Sequence, residues 1–369
     1  MDLSYTVEDA LAAPLNGVRF VSAYSGCGGL DLGFRMAGFE PVWSNDVSKP
    51  AIETYSELLG GDHAVTGGIE EVELPAPGAA ELVIGGPPCQ GFSVAGKMDP
   101  EDPRSGHVVR FMDLVERVKP EAFVMENVKA LALSTRWESV RDSLTARAIT
   151  LGFRATILVL HAADFGVAQR RERMFFIGVQ NGDPPEAVPA TTKEPVSVKT
   201  ALAALPTFGS AGNDSCCTAV ITPAKRPVLR PSPYRGSLLF NGNGRPLKLD
   251  LPAPTLPAAM GGNATPIIDQ VELDTGQDSW VVSYHRRLLA GGDPESAAPA
   301  ALRRITVEEA AQLQGFPVGV KWCGARGTQF RQIGNSVPPL LAHAVAVALA
   351  DLLGAEASHL DQVRLCDAA

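Results

Sequence analysis

The chain is 369 residues long, with 32 Lys and Arg against 41 Asp and Glu, a net charge of −9. Its 45% hydrophobic and 20% charged residues are globular values, which exclude a disordered chain, and its length suits about two domains. Taken whole, the acidic balance counts against nucleic acid, whose binders are commonly basic.

Residues 1–17 read as a lead-in without the basic start of a signal peptide. Residues 18–23 (VRFVSA) read as a buried strand, followed at once by a Gly-rich turn and a helix over 30–37. A strand at 39–43, a helix at 51–59 and a strand at 81–84 come next. Apolar spacing predicts a helix over 106–118, a strand over 122–125 and an amphipathic helix over 136–150. Strands at 156–160 and 174–179 complete an α/β alternation, which implies a doubly wound sheet with helices on both faces.

From 181 to about 299 the chain is rich in Pro, Gly, Asn and Thr, and its helical periodicity is weak. Short apolar runs at 236–240, 265–268 and 280–284 favour a small irregular, mostly β domain over a linker. Thr306 and Glu309 form a capping box for a helix over 306–314. Pro338 and Pro339 open a last helix through Leu353, with a cap expected near Asn335 or Ser336. The expected domains are 1–200, completed by 333–369, then 201–305, with 306–332 as a hinge.

The six cysteines form no C-x-x-C pair and the six histidines are scattered, so no metal site is expected. The most apolar stretch, 340–353, is interrupted by His343 and Asp351 and is too short to span a bilayer. Free thiols in a reducing cytoplasm follow as the expectation.

Four loops carry chemistry. Tyr24-Ser25-Gly26-Cys27-Gly28-Gly29-Leu30 joins a strand to a helix, where glycines admit a ligand and the helix start offers N–H donors. Asp46, at the end of the second strand, suits a ribose hydroxyl pair. Gly85-Gly86-Pro87-Pro88-Cys89-Gln90-Gly91-Phe92-Ser93 also follows a strand and presents a thiol between Pro and Gln, as a nucleophile stands. Met125-Glu126-Asn127-Val128 places a carboxylate at a strand end, and Gln169-Arg170-Arg171-Glu172-Arg173 offers three guanidiniums for phosphate or a base edge. Singly, each also fits a plain role: a tight turn, an inert thiol, a helix cap, a solvated charged run.

Together, and in this order with Arg331-Gln332-Ile333-Gly334-Asn335-Ser336-Val337-Pro338-Pro339, these blocks resemble the bacterial DNA (cytosine-5) methyltransferase family over about 18–190 and 302–350. The resemblance implies a Rossmann-like S-adenosylmethionine-dependent domain, with a target-recognition domain in the variable stretch. It places Phe20 beside the cofactor's adenine, Ser25, Gly26, Gly28, Gly29 and Leu30 at its amino-acid end, and Asp46 on its ribose. Pro88, Asn335, Ser336 and Val337 would complete that site. Cys89 would be the nucleophile, with Glu126, Arg171 and Arg173 around a flipped cytosine. Gln90, Ser93, Arg170, Arg304 and the Thr255-Leu256 pair are expected to touch DNA. One departure stands out: a Gly-Asp-Ile element whose acid meets the adenine amino group in the family corresponds to Gly67-Gly68-Ile69, with Glu70 or the backbone as the replacement. His107 stands where an apolar residue is usual.

The charge also partitions. Residues 169–331 hold 18 basic and 14 acidic residues, the remainder 14 and 27. A basic face on the recognition side restores double-stranded DNA as the expected partner. The resemblance further implies S-adenosylhomocysteine as product, no metal, no membrane, a monomer in a bacterial cytoplasm, and a restriction endonuclease or defence proteins as associates. A tRNA cytosine-C5 methyltransferase and a non-catalytic DNA-binding regulator are the rivals. A stretch of roughly 100 variable residues argues against the first, and the intact Cys89, Glu126, Arg171 and Arg173 set against the second.

Overall fold

The computed structural model describes residues 3–88 and 106–358, which fall into two compact units. The larger holds Tyr5–Gly166, Arg171–Lys193 and the chain from Ser336 on. The smaller holds Val167–Arg170 and Glu194–Asn335, with Leu3 and Ser4.

The larger unit runs α1 (Val7–Leu11), β1 (Arg19–Ala23), α2 (Gly29–Met36), β2 (Glu40–Asp46), α3 (Lys49–Leu59), β3 (Ala64–Thr66) and β4 (Leu82–Gly85). It continues through α4 (His107–Val118), β5 (Ala122–Val128), α5 (Lys129–Leu133), α6 (Glu138–Thr150) and β6 (Arg154–His161). After β7 (Gln169–Arg170), which belongs to the smaller unit, β8 (Glu172–Val179) closes the sheet. The smaller unit then supplies α7 (Val198–Leu202), β9 (Pro223–Val228), β10 (Leu238–Phe240), β11 (Ala253–Pro254), β12 (Ile267–Asp269), α8 (Gln270–Thr275) and α9 (Trp280–Leu289). It ends with β13 (Leu302–Arg304), α10 (Val307–Leu313) and α11 (Arg326–Asn335), before α12 (Pro339–Ala350) returns to the larger unit.

Seven strands form one sheet in the order β3-β2-β1-β4-β5-β8-β6. Pairing is parallel from β3 through β5 and antiparallel at β8 and β6. β1, β4 and β5 are buried almost end to end, as strands covered on both faces must be, and that is why they read as apolar runs. The order steps outward from β1 to β3 and restarts on the other side at β4. The carboxyl ends of β1 and β4 therefore flank the switch point at which doubly wound sheets bind ligands. Val108, Phe111, Met112 and Val115 of α4 pack with Phe123, Trp137, Phe153 and Phe176 into the main core.

Several local expectations need correction. The lead-in contains α1, sealed by a Thr6–Asp9 capping box. Helix α6 forms, but only Leu144 and Ala148 are buried, so its amphipathic reading fails. Asn335 ends α11 and Pro338 caps α12, so neither Asn335 nor Ser336 caps the last helix. The Thr306–Glu309 capping box is present as expected. In α12 every residue except Val347 and Ala348 is buried, so its apolar character serves the core. Helix α12 crosses α2 closely at Gly33, where a Cβ would stand 2.4 Å from Ala342 Cβ.

The smaller unit is built on two-stranded ribbons: β9 with β10, β12 with β13 and β7 with β11. Its core gathers Leu239, Phe240, Ile267, Val281, Tyr284, Leu288 and Leu302. A strand forms in each of the apolar runs 236–240 and 265–268, but 280–284 opens helix α9, with Trp280 stacked on Tyr284 at 4.6 Å. Helices α10 and α11, from the stretch expected as a hinge, group with this unit.

Candidate active site

The loop after β1 is shaped by positive φ at Tyr24 (56°), Gly26 (56°) and Gly28 (88°). Ser25 N–H donates to Asn45 O at 2.9 Å, and Gly26 N–H to Asp46 Oδ2 at 3.0 Å. Asp46 Oδ1 accepts from Ser48 N–H at 2.8 Å, so one carboxylate ties the loop to the end of β2. Burial pushes the Asp46 carboxyl up, and these two N–H groups draw it back. Gly28 caps α2 without any side-chain bond, leaving the helix start to its own N–H donors. Ser25 Oγ is buried with no hydrogen-bond partner among the described residues. The neighbouring Cys27 is no second nucleophile: burial pushes its thiol up to about 12, against a hydrogen bond from Ser336. That contact brings Ser336 to the Gly-rich loop. Leu30 and Val337 are buried in the same unit, whereas Asn335 is grouped with the smaller one.

Phe20 does not stand where the resemblance puts it. It is 0% exposed inside β1, with its ring 6.1 Å from Phe34, and has no surface for an adenine. The aromatic at the carboxyl end of the strand is Tyr24, half-buried, with its hydroxyl 3.0 Å from His107 Nδ1. The resemblance put the contact on Phe20, although the strand, read as ending at 23, already left Tyr24 as the aromatic just beyond it. Sequence reading also missed a buried layer beneath the loop, where Asp31 accepts from Ser22 Oγ at 2.8 Å and Ser44 Oγ at 3.0 Å.

The end of β3 lies next along the sheet. Gly67 N–H donates to Asp46 O at 3.1 Å, and Asn45 Nδ2 donates to Gly67 O at 3.0 Å. Glu70, named as a replacement for the missing acid, is turned to Arg110 at 3.2 Å.

On the other side of the switch point the loop after β4 leads through Gly86, Pro87 and half-buried Pro88. Cys89, Gln90 and Ser93 lie outside the described residues. Glu126, near the end of β5, is 8% exposed, and its Oε1 accepts from Arg173 Nε at 2.8 Å. A Cβ at Gly86 would stand 3.4 Å from Glu126 Oε2, and Asn127 Nδ2 donates to Pro87 O at 3.2 Å. The acid and the root of the Cys89 loop are thus neighbours. Burial pushes the Glu126 carboxyl up, opposed by the charges of Arg173 and Arg171. Arg171 is 1% exposed and donates to Ser336 O at 2.9 Å.

The charged run 169–173 is divided. Gln169 and Arg170 form β7 in the smaller unit, while Arg171 and Arg173 belong to the larger. There Leu256 N–H donates to Gln169 Oε1 at 3.0 Å, and Thr255 Oγ1 to Arg170 O at 2.7 Å. Thr255 and Arg170 are exposed, but Leu256 is 1% exposed and serves as an anchor rather than a DNA contact. Arg304 is likewise misread as DNA-facing. It is 3% exposed and donates to the carbonyls of Ala219 at 3.0 Å and Thr265 at 2.7 Å. Arg303 is also engaged within the fold, bidentate to Glu309 at 2.6 and 2.7 Å. The exposed basic residues of this unit include Lys225, Arg226, Arg230, Arg235 and Arg286.

A sequence model of the C-5 cytosine-specific DNA methylase family matches residues 18–217 and 264–351. The stretch 218–263, which holds β9 to β11, falls outside the match. The chain is 32% identical to the Type II methyltransferase M.AplI of Arthrospira platensis, over 88% of this chain and 83% of that one. It is 29% identical to the Type II methyltransferase M.AgeI of Thalassovita gelatinovora, over 89% of this chain and 98% of the other. Among solved structures, the S. pombe Dnmt2 methyltransferase shares the fold with a TM-score of 0.63 at 18% identity, over 91% of this chain and 99% of that one.

Proposed function

The chain belongs to the C-5 cytosine-specific DNA methylase family, and from that premise we propose that it transfers a methyl group from S-adenosylmethionine to C5 of a cytosine flipped out of a specific double-stranded DNA sequence. The observation that carries the reading is the buried Glu126 carboxylate, held by Arg173 beside Gly86 at the root of the Cys89 loop.

The residues present fit the cofactor. The orphaned Ser25 hydroxyl, the glycines of the loop and the uncapped start of α2 suit its amino-acid end. Asp46 accepts one N–H on each oxygen and keeps lone pairs for ribose hydroxyls. When bound, S-adenosylmethionine supplies an electrophilic methyl group for C5 and leaves as S-adenosylhomocysteine.

The rest falls to the chain. Addition of the Cys89 thiolate to C6 of the cytosine breaks the ring's aromaticity and makes C5 enamine-like. Glu126 hydrogen-bonds or protonates N3 and so stabilises the charge that develops; its raised pKa suits that role. Once C5 is methylated, water takes the C5 proton, the C6–S bond breaks and the thiolate is restored. Both faces of the ring must be reached, so the base leaves the stack. The exposed basic residues of the smaller unit give phosphate affinity. The naming of both relatives as Type II methyltransferases supports a modification enzyme of a restriction-modification or phage-defence system; a monomer with a cognate endonuclease as associate is part of the same proposal.

Duplex DNA with 5-fluorocytosine at the target tests the mechanism, because fluorine cannot leave as a cation. The wild-type chain with cofactor should accumulate a covalent adduct and Cys89→Ser none. An adduct of equal yield from Cys89→Ser would overturn the nucleophile, and methyl transfer to tRNA in place of duplex DNA would overturn the substrate. Bisulfite sequencing of DNA from expressing cells then gives the recognition sequence.

A further inference from the structure

Asp31, in the first turn of α2, is a buried carboxylate for which methyl transfer has no use. Its Oδ1 accepts from Ser22 Oγ of β1 at 2.8 Å, and its Oδ2 from Ser44 Oγ of β2 at 3.0 Å. From Ser44 the hydrogen bonds continue outward. Ser44 Oγ lies 2.7 Å from the Tyr55 hydroxyl, which lies 3.1 Å from His63 Nε2. Asp31, Ser44 and Tyr55 are 0% exposed, whereas His63 is half-buried. A relay thus runs from beneath the Gly-rich loop toward the surface.

Each hydroxyl has a single proton to donate, which gives the relay a direction. With Asp31 ionised, Ser44 donates to the carboxylate, Tyr55 donates to Ser44, and His63 donates to Tyr55 through Nε2–H. A proton added at His63 Nδ1 reverses every bond. The Nε2 proton passes to Tyr55, the Tyr55 proton to Ser44, and the Ser44 proton to Asp31 Oδ2. His63 is left neutral with its proton on Nδ1, and Asp31 is left as the neutral acid.

The charge so removed stands close to the cofactor loop. The start of α2 has no side-chain cap, and the Ser25 hydroxyl is buried without a partner among the described residues. Asp31 sits in that same first turn, and its charge is felt in the loop, where it joins Asp46 in pushing up the Cys27 thiol. An anion bound at the helix start and an ionised Asp31 repel each other.

We propose that the protein takes up a proton at Asp31, through His63, Tyr55 and Ser44, when the carboxylate of the cofactor binds at the start of α2. The proposal rests on the S-adenosylmethionine reading of the site. Burial already pushes the Asp31 carboxyl up to about 6, and a bound carboxylate raises it further. The bound state then holds the proton more tightly than the free one, so affinity is highest at low pH and falls as pH rises from about 6. Of the charged groups on neighbouring elements, Asp46 of β2 accepts from Gly26 and Ser48 N–H, and Asp9 of α1 from Thr6, beside exposed Glu8. His343 of α12 has Nε2 2.9 Å from Ser358 O, and Arg35 of α2 donates to Leu11 O and Ala13 O. Burial lowers His63, while Asp62 and Glu40 draw it back.

Calorimetry on the full chain without DNA tests this. S-adenosylhomocysteine and 5′-methylthioadenosine, which lacks the amino-acid end, are titrated in buffers of different ionisation enthalpy, so that the heat counts protons. At about pH 6.5 the first compound should take up about half a proton and the second none, as a rise of about one pKa unit requires. Affinity for S-adenosylhomocysteine should be about tenfold higher at about pH 5 than at about pH 8. Asp31→Asn should take up no proton and bind equally at both. Nitrogen NMR of the wild type gives a readout independent of any variant: at about pH 6.5, S-adenosylhomocysteine should move the His63 ring proton from Nε2 to Nδ1. Undiminished uptake in Asp31→Asn, the same uptake with 5′-methylthioadenosine, or a His63 proton unmoved by ligand would overturn the proposal and leave the cofactor reading standing. A wild-type chain that binds neither compound overturns both.

Discussion

The Tyr24 hydroxyl lies 3.0 Å from Nδ1 of His107, with the two rings meeting edge to face at 81°. Burial, aided by Glu70, pushes the phenol above its usual range, so the hydroxyl keeps its proton in the bond with the imidazole. The bond joins the Gly-rich loop to the first residue of α4. It also accounts for a histidine where an apolar residue was expected.

That bond predicts a double-mutant cycle. Tyr24→Phe and His107→Leu should each cost about 1 kcal/mol in urea unfolding, because each leaves a half-buried partner unanswered. The double variant should lie near the wild type, with a coupling of about 2 kcal/mol. Strict additivity would show that the contact contributes nothing.

Asp31 predicts an unusual pH dependence. It is 0% exposed, and burial pushes its carboxyl up to about 6, although the hydroxyls of Ser22, Tyr55 and Ser44 pull the other way. A raised carboxyl means that the folded state holds the proton more tightly than the unfolded one. The stability it contributes is therefore present at low pH and is lost as pH rises through the folded value. Thermal unfolding of Asp31→Asn beside the wild type isolates the effect. The variant should gain on the wild type as pH rises from about 4 to about 6, by on the order of 2–3 kcal/mol. A constant difference across that window would refute it.

Glu126→Gln should lower methyl transfer by about two to four orders of magnitude, since a group placed to hydrogen-bond or protonate N3 is worth that much. S-adenosylhomocysteine affinity should stay within about twofold, because Glu126 stands at the end of β5 and not on the β1–β3 edge. A parallel loss of cofactor affinity would move Glu126 out of the catalytic role.

Arg304 and Arg226 should behave oppositely. Arg304→Met leaves the carbonyls of Ala219 and Thr265 without their donor and should destabilise the chain by about 3 kcal/mol. Arg226, exposed on β9, should leave stability alone when changed to Ala but reduce the salt slope of DNA binding by about 1. Equal salt slopes in wild type and Arg226→Ala would remove that residue from the phosphate contacts.

What the sequence made legible follows from burial. β1, β4 and β5 are covered on both faces, so their apolar runs are continuous and their loops could be placed at strand ends. β3 has only three residues, none of them buried, and leaves no such trace. Helix α11 reads RGTQFRQIGN, in which only Phe330, Gln332, Ile333 and Gly334 are buried, a set that no apolar period announces. Glu126 was placed correctly because its strand was. Arg304 was misjudged because its partners come from positions 219, 263 and 265, a long-range arrangement that composition does not encode. The strand end was read correctly at Ala23, yet the adenine contact was placed on Phe20 inside the strand and not on Tyr24 just beyond its end.

The antiparallel entry of β8 beside β5 has a consequence for how this chain tolerates change. Seven consecutive pairs, from Ala122 with Val179 to Val128 with Arg173, act as a ruler that sets Arg173 opposite Val128 and so diagonal to Glu126, two residues away on the same face. A slip by one residue would send Arg173 to the opposite face of the sheet. The connection between the two strands sets no such distance. Residues can be added or removed within exposed stretches between 129 and 171 without disturbing the ion pair, whereas a single insertion inside the ladder would abolish it.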